Sequence, residues 1–117
     1  MKYKIKLKRD EKLLTVDIDG AETFYTRTLG LMFKENMEDM NGLLLNPCKS
    51  IHTFFMRFPI DAMFLDKNNS IVKLYRELRP WKITPLIWKA QKVIEFPGGK
   101  IPQDIAEGDE LEVICIS

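Results

Sequence analysis

The sequence lacks most of what would declare a chemistry. It holds one histidine, His52, and two cysteines, Cys48 and Cys115. That is too few for structural zinc, which takes four Cys or His ligands, and no HxxxH or CxxC spacing points to a metal site. Asp61 or Glu95 could complete a mixed ligand set, but no spacing supports one, so no metal or other cofactor is expected. An excess of one charge is missing too: 18 Lys and Arg face 17 Asp and Glu, a net of +1. A broad nucleic-acid footprint needs clustered surplus basic residues and is disfavoured. Long apolar runs are absent from residues 1–16, where charges recur every few positions, so neither a signal peptide nor a membrane span is expected there. The chain as given reads as cytoplasmic, and both thiols are expected to be free. Internal repeats and low-complexity tracts are absent as well.

What is present is ordinary globular composition. With 117 residues, 45% apolar and 30% charged, the chain is expected to form one domain over 1–117 around one core. Residues 3–8 alternate polar and apolar, and Leu14, Val16 and Ile18 continue the pattern up to Asp19-Gly20, a dipeptide that favours a tight turn. Lys2, Lys4, Lys6, Lys8 and Arg9 then lie on the wet face of a strand rather than forming a phosphate-binding stripe. Phe24, Thr28, Leu31 and Met32 fall at helical offsets with Thr23 as a cap, predicting a short helix over 23–34. Asn41-Gly42 makes a turn into Leu43–Leu45 and Asn46-Pro47 breaks the chain, after which the aromatic and β-branched run IHTFFM (51–56), IDAMFL (60–65), IVKLYREL (71–78), KVIEF (92–96) and LEVICI (111–116) read as strands, with DKNNS as a hairpin loop. IHTFFM, IDAMFL and IVKLYREL are expected to be three consecutive antiparallel strands. The fold class is therefore mainly β: a small antiparallel barrel or sandwich with one short α-helix.

Several stretches resemble, in order and spacing, the domain-of-unknown-function family 192. They are Arg27-Thr28-Leu29-Gly30-Leu31-Met32, Asn41-Gly42-Leu43-Leu44, CKSIHTFFMRFPIDAMFLD, Arg79-Pro80-Trp81, Glu95-Phe96-Pro97-Gly98-Gly99 and Gly108-Asp109. The resemblance spans about residues 13–114 and implies a mainly β core with one short helix; it implies no assigned activity. The commoner pattern resembles Phe-Trp-Met-Lys-Asn-Thr before its Pro and Asp, whereas here Met56-Arg57-Phe58 runs straight into Pro59-Ile60-Asp61. Any function of that Asn-Thr pair does not carry over. Many relatives look secreted or periplasmic.

Candidate functional residues are polar groups set in apolar surroundings. His52, Arg57 and Asp61 sit in the most hydrophobic region, and Glu95 sits inside Val93-Ile94-Glu95-Phe96. A charge near a core must be paired or solvated. Arg57 with Asp61, and Arg27 with Glu95, are one solution, as structural ion pairs. The other is a cleft lined by His52, Arg57, Asp61, Trp81, Glu95 and Arg27 beside Phe58, with polar groups converging on an apolar pocket. If IHTFFM is regular, His52, Phe54 and Met56 share a face. Pro80, Pro85, Trp81 and Trp88 form either an aromatic docking ledge or a lid over a barrel end, and the methionines are more economical as core filler than as a peptide-binding surface. A Cys48–His52 dyad would need the chain to fold back, because residues four apart in a strand lie about 13 Å apart. Three functions remain open: a non-enzymatic module binding a small ligand or peptide near His52, Arg57, Asp61 and Trp81; an enzyme using Cys48 or His52 with Asp61; and an accessory subunit of an assembly.

Overall fold

The computed structural model describes residues 2–21 and 42–116. Among them lie seven strands: β1 (Lys2–Leu7), β2 (Lys12–Ala21), β3 (Leu43–Leu45), β4 (Ile60–Leu65), β5 (Ile71–Leu78), β6 (Lys92–Pro97) and β7 (Leu111–Cys115). They form one sheet in the order β5-β4-β6-β3-β2-β1-β7. No described residue is helical, and the helix expected over 23–34 lies outside the described residues. No helix among the described residues is long and apolar enough to cross a membrane.

The sheet curls until its edges touch. Ser70 and Glu110 form an antiparallel bridge just before β5 and β7, and the Ile71 N–H donates to the Asp109 carbonyl at 2.9 Å while Leu111 N–H donates to Asn69. Beyond that point the gap is spanned by residues 98–110. The Arg76 guanidinium donates to the carbonyls of Ile101, Pro102 and Ile105, and Glu107 accepts the Leu74 N–H. An open sheet edge is a template for unwanted pairing, and these contacts cover one edge with its own chain. The result is a half-barrel rather than a closed barrel or a two-sheet sandwich.

Its central strands are buried on both faces, which explains their nearly unbroken apolar sequence. In β4, Met63 and Leu65 point inward with Ile5, Leu7, Ile18, Leu44, Ile94, Phe96 and Leu111. Ile60, Ala62 and Phe64 point outward, where Ile51, Met56, Phe58 and Ala90 cover them. Residues 46–59 and 79–91 thus make a second layer on the convex face, and Trp81 and Trp88 belong to this layer rather than to a lid over a barrel end. Met56 and Met63 are core filler.

Two sequence expectations fail here for physical reasons. Asp19-Gly20 does not turn: β2 runs through it because Asp19 and Gly20 pair in parallel with Leu43 and Leu44, and parallel neighbours cannot be joined by a tight turn. That parallel pair also departs from an all-antiparallel sheet. IHTFFM is not a strand, so only β4 and β5 of the expected three form a hairpin. Within it only His52 pairs, bridging to Ile83, because Ile51, Thr53 and Met56 are drawn into the second layer as buried residues. The hairpin loop Asp66–Ser70 is as expected, with Asp66 Oδ1 accepting from the backbone of Asn68 and Ser70 in the manner of an Asx turn.

Candidate functional site

The second layer is held by the backbone. Residues 49–53 and 81–87 run antiparallel: Thr53 N–H donates to Lys82 O, Thr84 N–H to Ile51 O, Ile87 N–H to Lys49 O and Trp81 N–H to Thr53 O, all at 2.8–2.9 Å. Alternate residues point in, and Ile51, Thr53 and Thr84 are buried. Thr53 Oγ1 donates to Arg79 O at 2.6 Å and accepts from Lys82 N–H at 2.9 Å, which locks the start of the second segment. The residues between point out.

The outward residues form an aromatic ledge. The His52 and Phe54 rings stack at 4.8 Å, Phe54 meets Trp81 at 6.1 Å, and Phe55 meets Trp81 at 4.7 Å. His52 Nδ1 accepts the Phe54 N–H at 3.2 Å, which leaves Nε2 to carry the proton of the neutral ring. Phe55 and Trp81 are 54% and 60% exposed, and both have left-handed backbones, with φ of 66° and 65°. That conformation costs a bulky residue about 1 to 2 kcal/mol. The two exposed rings are in mutual contact, each on a backbone held at such a cost.

The two segments that carry the ledge hold charges of one sign only. Segments 46–59 and 79–91 carry Lys49, Arg57, Arg79, Lys82 and Lys89 and no Asp or Glu, so the rest of a chain of net +1 holds a net −4. All five cations are exposed. The basic run at the N-terminus is neutralised by Lys2–Asp19, Lys6–Glu11, Lys8–Glu110 and Arg9–Asp109 pairs. Its solvated-face reading is the one the structure supports.

The proposed cleft residues do not converge. Asp61 is fully buried on the inward face of β4, where its carboxylate accepts from three backbone amides: Glu77 at 2.7 Å, Gly99 at 3.1 Å and Ile101 at 3.0 Å. His52 and Arg57 belong to the layer on the opposite face, so Asp61 is a fold-forming anchor. Glu95 is also fully buried, next to Leu43 and Ala62 across the sheet, and Arg27 lies outside the described residues. Cys48 donates its thiol hydrogen to Ser50 O at 3.1 Å. No disulfide joins Cys48 and Cys115. Among the described residues no cluster of three or more His, Cys, Asp or Glu could hold a metal. Sequence reasoning missed Phe55 and the one-signed charge; the readable signal was the absence of Asp and Glu from both segments.

Fold and surface together define a small half-barrel carrying an aromatic, basic outer layer. The chain belongs to the DUF192 family, whose model, described as Uncharacterized ACR, matches residues 5–113. It is 37% identical over 107 residues to a UPF0127 protein of Thermococcus sibiricus, covering 86% of this chain and 68% of that one. A UPF0127 protein of Pyrococcus furiosus is 32% identical over 105 residues, covering 86% and 90%. A crystal structure of a protein of unknown function from Novosphingobium aromaticivorans superposes with a TM-score of 0.77 at 18% identity, over 96% of this chain and 84% of that one. At that identity the likeness shows the fold.

Proposed function

We propose that the protein is a non-enzymatic binding module whose ledge of His52, Phe54, Phe55 and Trp81 receives the planar or apolar part of an anionic small ligand or peptide, with Arg57 and Arg79 nearby for its charge. The observation that carries this reading is the pair of exposed aromatic residues, Phe55 and Trp81, held in left-handed backbone against each other. Rings fixed in place lose little entropy on binding, and preorganisation of this kind raises affinity without new contacts. The enzyme alternative has no comparable support, because the Asp61 oxygens are committed to three backbone amides on the far face.

Saturation-transfer NMR with planar aromatic carboxylates, indole-3-carboxylate and benzoate, tests it. Wild type is expected to bind at least one of these probes, and Trp81→Ala is expected to lose it while unfolding within about 1 kcal/mol of wild type. Binding retained by Trp81→Ala, or absent from wild type, would reject the ledge. A second prediction isolates the strain at Phe55: Phe55→Gly and Phe55→Ala both remove the ring, but only Gly relieves the backbone. The Gly variant should be the more stable of the two by about 1 kcal/mol in urea denaturation. Equal stability would mean that the left-handed conformation is not costly here.

A further inference from the structure

Beyond the ledge the same layer exposes apolar side chains that a small ligand would not use. Ile83, Leu86 and Trp88 are 66%, 47% and 77% exposed, and with Phe55 and Trp81 they are five of the seven large hydrophobic residues exposed among the described residues. They fall in the stretch WKITPLIWK, residues 81–89, in which a Trp-Lys pair stands at each end and only Thr84 and Ile87 turn toward the core. Large apolar side chains exposed this densely along one stretch suit an interaction site.

We propose that residues 81–89 seat the protein on the headgroup region of a membrane rich in anionic lipid. Three features of the strip fit that partner. First, its backbone is anchored to the layer beneath: the N–H groups of Trp81, Thr84 and Ile87 go to residues 49–53, Lys82 N–H goes to Thr53 Oγ1, and Pro85 has no N–H to satisfy. Lys49 Nζ covers the carbonyls of Trp88 and Ala90 at 2.8 Å and 2.5 Å. The apolar side chains are thereby presented outward from a fixed backbone, in the headgroup region where water still serves the remaining amides. Second, the side chains suit the depth profile of a bilayer surface, with Trp81 and Trp88 at headgroup level, Ile83 and Leu86 between them, and Lys82 and Lys89 beside them. Third, the strip's own charges, Lys82 and Lys89, are both basic and exposed, so the surface is complementary to an anionic leaflet. A nucleic-acid strand would match the cations and the rings but would leave Ile83 and Leu86 without a role. A protein partner fits less well because lysine is depleted from protein interfaces.

The test uses the full chain and vesicles of phosphatidylcholine with or without phosphatidylglycerol, read by co-sedimentation and by tryptophan emission. Binding is expected only when phosphatidylglycerol is present, with a blue shift of the emission and weakening at high salt. The double variant Leu86→Ser/Trp88→Ser is expected to lower vesicle binding at least about tenfold, and Lys82→Glu/Lys89→Glu is expected to do the same. Both should unfold as wild type does, since all four residues are exposed. The Leu86→Ser/Trp88→Ser variant should still bind the planar carboxylate probe, so the strip and the ledge can fail separately. No binding to phosphatidylglycerol vesicles would overturn the proposal. So would binding to poly(U) that equals vesicle binding and survives Leu86→Ser/Trp88→Ser, which would name single-stranded nucleic acid instead.

Discussion

Asp61→Ala is expected to lower the free energy of unfolding by about 4 kcal/mol. The buried carboxylate accepts from the backbone amides of Glu77, Gly99 and Ile101, and Ala would leave three donors without water or a partner. Each orphaned donor costs about 1 to 3 kcal/mol, with some relief as the loop relaxes. The three amides tie the end of β5 and the start of the 98–110 segment to β4, so the same variant should speed hydrogen exchange at Gly99 and Ile101 before the rest of the sheet opens. Asp61→Asn separates charge from geometry. Its oxygen can still serve Glu77 and Gly99, but its amide nitrogen faces the Ile101 N–H, donor against donor. A loss of about 2 kcal/mol is expected for it. Urea denaturation of both variants checks the order, and an Ala variant within about 1 kcal/mol of wild type would show that the anchor is not needed.

Gly42→Ala is the second. A Cβ at this position would stand 2.6 Å from the Glu95 carbonyl oxygen, 2.9 Å from Ile18 Cδ1 and 3.4 Å from Phe96 Cδ1. The first of these is backbone within β6, so the clash cannot be relieved by turning a side chain. Relief requires moving β3 away from β6 at the middle of the sheet, where both strands are buried on both faces. Overpacking of this kind costs about 3 kcal/mol. It should appear as a lower denaturation midpoint with an unchanged slope, since the unfolded chain gains only one methyl group. A variant as stable as wild type would mean that the β3–β6 spacing adjusts freely.

What could be read from the sequence was what depends on local pattern. β1, β4, β5, β6 and β7 follow alternation or apolar runs bounded by turn residues, and Asp66–Ser70 has the composition its turn requires. What could not be read was set by pairing at a distance. Asp19-Gly20 has turn chemistry, but Leu43 and Leu44 pair with it and hold it extended. IHTFFM has strand composition, but burial of Ile51, Thr53 and Met56 in the outer layer bends it, and the bend throws Phe55 outward. The site was half legible for the same reason. His52 and Trp81 were found as polar and aromatic residues out of place, and they do share a ledge with Phe54. Asp61 looked equally out of place, yet it faces the other side of β4, a distinction carried by strand parity and by what each face is packed against.

The hydrogen bonds that join residues 49–53 to 81–87 run mostly from main chain to main chain, and any residue but proline can supply them. The side chains at the outward positions, His52, Phe54, Trp81 and Ile83, supply none of those bonds. Evolution can therefore rewrite what this surface recognises one side chain at a time while the frame beneath it stays as it is. The same freedom is open to the protein engineer: a short library at these four positions should yield folded variants in high proportion, each presenting a different face on an unchanged support.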